Sequence, residues 1–524
     1  MAKQLFSGNE AIAFGAYEAG VHVATGYPGT PSSEIMPALI PYPEVNIEWS
    51  VNEKVALEVA IGSSYSGARS LVTMKHVGVN VAADPLMTLS YTGVKGGLVI
   101  ISADDPNCNS SQNEQDNRHF ARFAKIPILE PSNSQEAFDF TKEAFSLSEK
   151  YKTPVMLRVT TRVCHTKTPV SSEGKRQEIK IEGFTKDPSC YVMIPAHARK
   201  KHVVIEKRLL DLQKESDASS LNYVEKGERS VGIITSGLSY QYVKEAADGE
   251  WIFKLGMSYP LPINKIREFT KNLEKVYVVE ELDPFLEKEL IYNGIKVEKR
   301  DKKFYLGELN TERVMEILGK KDAVLEGDKP EKIKDIPLRL PVLCPGCAHR
   351  SVFQVLRDMN YIVTGDIGCY TLGTLPPLSA LDTCVCMGAG IGNAQGIYKT
   401  KKDERLVAVI GDSTFVHSGI TSLINAVYNK NKITVIILDN RTTAMTGGQP
   451  HPGIDQTVRG EKTKALDFEE LGRALKVDYV KTVDAYQKAE LQESLEIAEK
   501  TDGVSLIIAK RDCVLLKKRE TSKE

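Results

Sequence analysis

The residues most able to do chemistry stand in the stretch 411–451, GDSTFVHSGITSLINAVYNKNKITVIILDNRTTAMTGGQPH. Asp412 follows the apolar run 406–410, and Asn440 follows a second apolar run, 433–438, with a helical pattern over 420–429 between them. Strand, turn, helix, strand, turn is one unit of a parallel α/β sheet. It puts Asp412 and Asn440 at the carboxyl ends of two strands, where open α/β sheets bind ligands. A carboxylate and an amide oxygen there suit a hard divalent cation such as Mg²⁺, with the rest of its shell drawn from a backbone carbonyl, water and phosphate oxygens. The plainer alternative is a βαβ unit in which Asp412 caps a helix.

A second constellation is made of thiols. Cys344-Pro345-Gly346-Cys347 is a CxxC turn before a helical pattern, Cys369 closes Gly365-Asp366-Ile367-Gly368-Cys369 after the short run 361–364, and Cys513 follows the apolar run 504–509. A CxxC turn alone fits a redox pair, a zinc knuckle or an iron–sulfur ligand pair. If each cysteine follows its strand, all four meet at one sheet edge, where four thiolates suit zinc and a [4Fe–4S] cluster equally. Cys384 and Cys386, beside Val385 and Met387, read as buried small hydrophobes.

A third candidate is Glu53, at the start of the helical pattern Glu53-Lys54-Val55-Ala56-Leu57-Glu58-Val59-Ala60, where Ala56 and Ala60 suit close packing. An acid in the first helical turn is also what the helix dipole favours on any exposed helix. The apolar run 21–25 ends in Gly26-Tyr27-Pro28-Gly29-Thr30-Pro31-Ser32-Ser33-Glu34, where Ser32 or Ser33 can cap a helix. Lys75-His76-Val77-Gly78 ends the run 70–75 and reads as a ligand-side strand end or an ordinary polar loop. Arg118 and Arg122 follow the polar stretch 103–117 and could grip a carboxylate through a bidentate guanidinium, although arginines are commoner on surfaces. His451 could move protons, as could few other residues of its loop.

These residues sit on α/β elements throughout. Apolar runs at 21–25, 70–75, 97–102 and 155–159 alternate with helical patterns in 1–165; the stretch 166–228 is charged and weakly patterned; the rhythm returns over 229–319, with strands at 231–235, 251–255 and 276–280 and a helix at 263–271. A charged segment, 320–337, leads to a last domain, 338–524. The N-terminus reads as the start of an amphipathic helix without a signal-peptide core. The chain has 524 residues, with 68 Lys+Arg against 69 Asp+Glu, which argues against nucleic acid or an anionic membrane as partner. No run approaches the roughly 18 apolar residues of a spanning helix. Nine cysteines in a cytoplasmic chain point to metal or redox use rather than disulfides.

The motifs GYPGTPSSEI, ExxAxxxAxGxSYSG from Glu53, CPGCAHR, GDIGCYTLG, GDSTFVHSG and DNRTTAMTGGQPHP together resemble the thiamine diphosphate-dependent 2-oxoacid:ferredoxin oxidoreductases, and among these the large subunits acting on indolepyruvate. GD-x, then 25 residues between Ser413 and Asp439, then Asn440 is similar to the thiamine diphosphate motif. The resemblance runs along almost the whole chain. It implies three doubly wound parallel-sheet domains: a pyrimidine-binding domain at 1–165, a crossover at 166–228, a transketolase C-terminal-like domain at 229–319, and, past the linker, a diphosphate-binding domain at 338–524. It implies that Asp412, Asn440 and the backbone carbonyl of Thr442 hold Mg²⁺, with Gly411, Ser413 and Thr446 at the diphosphate and Gln449 ordering that loop. Met387 would prop the cofactor in a bent shape, a role no better supported than a core methionine, and glycines 388, 390 and 392 would let the diphosphate approach a helix N-terminus. Glu53, not Glu58, would face the aminopyrimidine N1′, and Thr30 would lie near the substrate carbonyl. Cys344, Cys347, Cys369 and Cys513 would hold a [4Fe–4S] cluster.

The implied reaction is oxidative decarboxylation of an arylpyruvate with coenzyme A to an acyl-CoA and CO₂, electrons going to ferredoxin. The implied partners are a small gamma-type subunit, in a heterotetramer or dimer of heterodimers, and ferredoxin or a separate iron–sulfur protein. The two further cysteine quartets of a C-terminal ferredoxin-like module are expected in such subunits and are not in this sequence, which leaves the acceptor and the 2-oxo acid open. The alternatives are a non-oxidative thiamine-dependent decarboxylase, an oxidoreductase for a branched or aliphatic 2-oxo acid, and a cluster-bearing scaffold without turnover.

Overall fold

The computed structural model describes residues 2–320, 341–402 and 405–516, and it divides into two compact units, Met1–Glu331 and Lys332–Glu524. The segment expected to be a linker, 320–337, lies outside the described residues from 321 onward.

The first unit holds a seven-stranded and a four-stranded sheet. In the larger, the strands run Ile128–Leu129, Val155–Thr160, Leu98–Asp104, Ser70–Lys75, Val23–Gly26 and Asn46–Trp49, all parallel, with Met257–Tyr259 antiparallel on one edge. Ser70–Lys75, Leu98–Asp104 and Val155–Thr160 are buried at every position. Near-continuous apolar runs are what a parallel sheet covered on both faces requires. The smaller sheet orders Lys275–Val279, Val231–Ser236, Trp251–Leu255 and Tyr223–Glu225, the last antiparallel. The stretch 166–228 is more regular than its composition suggests. It contains the helix Pro195–Ala218, with Pro at its first turn, and the strand Lys167–Ser172.

That strand corrects the expectation for the N-terminus. Ala2–Ser7 is a strand paired antiparallel with Lys167–Ser172, and the helix begins only at Gly8, where Ser7 and Glu10 form a capping box. The partner strand is distant in sequence, so no local pattern announces the pairing.

The second unit is one parallel five-stranded sheet, ordered Ile362–Thr364, Leu406–Gly411, Thr434–Asp439, Ser505–Lys510 and Tyr479–Asp484. Leu406–Gly411 and Thr434–Asp439 are adjacent and wholly buried, so Asp412 and Asn440 leave the same sheet edge side by side. Cys513 leaves that edge too, past Ser505–Lys510.

Candidate active site

Asp412 opens the helical stretch after Leu406–Gly411 and is 2 % exposed. Its Oδ1 accepts from the Ser413 N–H (2.8 Å), and its Oδ2 accepts from the N–H groups of Asn440 (3.1 Å) and Arg441 (2.8 Å). Arg441 adopts a left-handed backbone (φ 61°), which brings two successive amides to one carboxylate oxygen. Burial works against charge on Asp412, but His451 and these amides hold its carboxyl below the ordinary range. The helix it starts widens into a π-type turn over Phe415–Gly419, a distortion frequent at functional sites.

His451 is not a free proton carrier. Its Nδ1 accepts from the Gly453 N–H (3.1 Å), so the proton sits on Nε2, which donates to Asp412 Oδ2 (3.1 Å). It braces the carboxylate. Asp439, also buried, has its carboxyl pushed up to about 6, by burial first and then by the Asp412 charge. Neighbouring carboxylates disfavour each other's ionisation, and here Asp439 is the one pushed up.

Asn440 Oδ1 accepts from the Thr442 N–H (3.0 Å), and the Thr442 carbonyl accepts from Ala444 N–H (2.9 Å). Each oxygen has a second lone pair, so carboxylate, carboxamide and carbonyl make a hard-oxygen donor set that fits Mg²⁺. Thr443 Oγ1 donates to Ser413 Oγ (2.9 Å), while Thr446 and Gln449 bond each other both ways, Thr446 Oγ1 to Gln449 Oε1 and Gln449 Nε2 to the Thr446 carbonyl, each 2.6 Å. The loop 442–449 is thereby closed on itself. Gly411 has the ring of Tyr370 against it: a Cβ there would lie 2.6 Å from the ring.

The glycine turn differs from expectation. Asp366 accepts from the N–H groups of Gly388 (2.8 Å) and Gly390 (3.1 Å), and Ala389 N–H goes to the Cys386 carbonyl (3.1 Å). The N-terminus of the helix Ala389–Thr400 is therefore capped from within the chain, not open to a diphosphate. Burial pushes the Asp366 carboxyl up to about 6 against these donors. Met387, half-buried, precedes that turn.

Cys344, Cys347, Cys369 and Cys513 line one cavity of about 70 Å³, together with His349 and Asn440. Gly346, at φ 77°, turns the chain between the first two, and Cys347 N–H donates to the Cys344 carbonyl (3.1 Å). Burial raises the Cys369 thiol to about 11, with the other three sulfurs adding to it. A positive metal centre would reverse that and stabilise thiolates. Among the described residues no group of three or more His, Cys, Asp or Glu side chains stands close enough to hold a metal ion. Cys384 is half-buried and Cys386 exposed, so the expectation that both are buried hydrophobes is corrected for Cys386: its loop, 382–387, runs at the surface.

In the first unit, Glu53 is 5 % exposed at the N-terminus of the helix Glu53–Tyr65, whose cap Asn52 accepts from Val55 N–H (2.9 Å). It is not the exposed first-turn acid of the plainer reading; Glu58, paired with Lys54, is exposed. Gly78 makes room for it, since a Cβ there would stand 2.7 Å from the Glu53 carboxylate. Gly29 packs on Lys75, so the Thr30 loop and that strand end face each other, and burial pulls the Lys75 amine down to about 8. His76 is buried, with Nε2 at the Asn113 carbonyl (3.2 Å). Neither Ser32 nor Ser33 caps the short helix Ile35–Ala38; Ser32 Oγ donates back to the Gly29 carbonyl (3.0 Å).

Two expectations fail here. Arg118 is fully buried, paired with Asp116 (2.5 Å) and Glu280 (2.7 Å) and stacked on Phe285, so it has no hand free for a substrate carboxylate. Arg122 is half-exposed and paired with Glu289 (2.8 Å).

Residues 14–228 match the family described as pyruvate flavodoxin/ferredoxin oxidoreductase, thiamine diP-binding, and residues 366–509 match the C-terminal TPP binding domain of thiamine pyrophosphate enzymes. The chain is 42 % identical over 557 residues to the indolepyruvate oxidoreductase subunit IorA of Pyrococcus horikoshii, covering 98 % of this chain and 86 % of that one. It is 42 % identical over 551 residues to the IorA subunit of Archaeoglobus fulgidus, covering 100 % of this chain and 88 % of that one. A solved 2-oxoglutarate:ferredoxin oxidoreductase from Magnetococcus marinus shares the fold, with a TM-score of 0.51 at 16 % identity over 61 % of this chain and 65 % of that one. No helix among the described residues is long and apolar enough to cross a membrane. A mixed α/β fold with parallel sheets, matches to two thiamine diphosphate-binding family models, and relatives alike over nearly the full length agree: the chain belongs to the indolepyruvate oxidoreductase IorA family, within the thiamine diphosphate-dependent 2-oxoacid:ferredoxin oxidoreductases.

Proposed function

We propose that this chain is the large subunit of a cytoplasmic enzyme that oxidatively decarboxylates an arylpyruvate of the indolepyruvate type, with coenzyme A as acyl acceptor and ferredoxin as electron acceptor. The observation that carries it is the single cavity lined by Cys344, Cys347, Cys369 and Cys513 and by Asn440, which stands two residues before Thr442 on the cation loop. Four cysteines at one cavity, in the order the family resemblance implies, support a [4Fe–4S] cluster, which supplies one-electron transfer. Bound thiamine diphosphate supplies the carbanion-stabilising chemistry that lets a 2-oxo acid lose CO₂.

The protein's part is holding and proton control. Asp412, Asn440 and the Thr442 carbonyl would hold Mg²⁺, and Gly411, Ser413 and Thr446 the diphosphate. Met387 would press an apolar side chain on the bound ring system. Glu53 would hold a proton at the aminopyrimidine N1′; its burial against Gly78 keeps water from competing for that proton. Thr30 would donate a hydrogen bond near the substrate carbonyl. The subunit designation of the relatives implies a further subunit, which we take to be the small gamma-type one in a heterotetramer or dimer of heterodimers, with ferredoxin or a separate iron–sulfur protein beyond it. We keep the segments 1–165, 229–319 and 338–524 as the three functional domains.

Anaerobic assay of the complex with a panel of 2-oxo acids, coenzyme A and a viologen dye tests this. Dye reduction should be fastest with arylpyruvates, require coenzyme A, and accompany a visible absorbance that dithionite bleaches. Aldehyde release without dye reduction would instead mark a non-oxidative decarboxylase, and preference for an aliphatic acid would overturn the substrate assignment.

A further inference from the structure

An asparagine can offer a cation its oxygen or its nitrogen, and only neighbours decide which. For Asn440 they decide firmly. The Thr442 N–H donates to Oδ1 (3.0 Å), and Nδ2 stands 3.3 Å from His349 Nε2. A flipped amide would set two N–H donors against each other at Thr442; with the amide so fixed, His349 Nε2 is the acceptor for Nδ2. His349 is itself tied to the thiols. It begins the helix His349–Asp358 two residues after Cys347, and its ring stands edge-on to that of Tyr370, the residue after Cys369 (6.2 Å, 88°). Cys513 N–H donates to the Asn440 carbonyl (3.0 Å). Each cysteine-bearing segment thus touches the cation loop or the residue that orients it.

We propose that His349 is a positioning residue, which locks the Asn440 carboxamide oxygen toward the cation and couples filling of the cysteine cavity to cation retention. This rests on reading Asp412 and Asn440 as the cation site. Outer partners of metal ligands are worth about 10–100-fold in affinity.

Calorimetric titration of the cluster-loaded complex with Mg²⁺, at saturating thiamine diphosphate, tests it. H349L should raise the Mg²⁺ Kd by about 10–100-fold with iron content and visible spectrum unchanged. H349Q, whose amide oxygen can accept from Asn440 Nδ2, should recover most of that affinity. A wild-type complex that binds no Mg²⁺ removes the cation-site reading and the proposal together. A wild-type complex that binds Mg²⁺, with H349L binding it equally well, overturns the proposal alone. If H349L loses iron or does not fold, H349M fills a similar volume and carries the same contrast: weak binding by H349M and tight binding by H349Q support the proposal, and equal affinities overturn it.

Discussion

Two buried polar regions lie at strand ends, one in each unit, and they balance charge differently. In the first unit Arg118 and Arg158 meet Asp104, Asp116, Glu130 and Glu280 in direct ion pairs, all under 6 % exposed. Two guanidiniums of the chain thus pair directly with four carboxylates. In the second unit Asp412 and Asp439 face backbone amides and the His451 ring, while Lys510 is half-exposed, 3.9 Å from Asp439. The first region is held by direct guanidinium–carboxylate pairs, and the carboxylate of Asp412 mainly by backbone amides and an imidazole.

The sharpest way to break this contrast is to remove the carboxylate held by backbone amides. D412A should lower 2-oxo acid-dependent dye reduction by more than a thousandfold, about 4 kcal/mol on the barrier, with loss of Mg²⁺ binding. A variant retaining both would place the cation elsewhere. E53Q should lower turnover by about a hundredfold or more while the complex still binds thiamine diphosphate and keeps its visible spectrum, since proton transfer by a placed group is worth about 10²–10⁴; undiminished turnover would remove Glu53 from the chemistry.

The ion-paired region should respond in stability instead. R118M leaves Glu280 buried without its guanidinium and Asp116 with Arg158 alone, at 3.8 Å, which costs about 3–5 kcal/mol in denaturant titration, with turnover per folded enzyme little altered. Arg118 would be a ligand group after all if KM rose while stability held. Glu281, beside this network, tests the same idea by pH. Burial pushes its carboxyl up to about 7, against the Leu309 N–H and the two arginines. The folded chain therefore binds the extra proton, so stability is full below the unfolded value of 4.5, falls as pH rises toward 7, and stays low above it. E281Q keeps an acceptor for Leu309 and cannot ionise. It should be about 1–3 kcal/mol more stable than wild type near pH 8, and the gap should close near pH 4–5. The smallest effect belongs to the half-exposed Arg122–Glu289 pair, where R122A should change stability by less than about 1 kcal/mol and KM not at all.

What the sequence discloses follows range. Strands such as Ser70–Lys75 and Trp251–Leu255 are legible because each is a short apolar run bounded by turn residues. Asp412 and Asn440 are legible because each directly follows such a run, and Cys344 and Cys347 because they form a CxxC turn. The strand Ala2–Ser7 is hidden because its partner is Lys167–Ser172. Asp366 as a helix cap, His451 as a brace and His349 beside Asn440 are hidden for the same reason: each acts on residues far along the chain. Arg118 misleads in the opposite direction. Its local setting is polar, and Asp116, two positions away, together with Glu280, 162 positions away, occupies its charge.

The strand Met257–Tyr259 lies between segments of one sheet yet completes the edge of the other. A polypeptide cut after residue 228 would leave Ile128–Leu129 as a bare rim, and raw strand rims invite pairing with neighbouring molecules. Anyone seeking the pyrimidine-side half as a separate piece should therefore carry the following hundred or so residues with it.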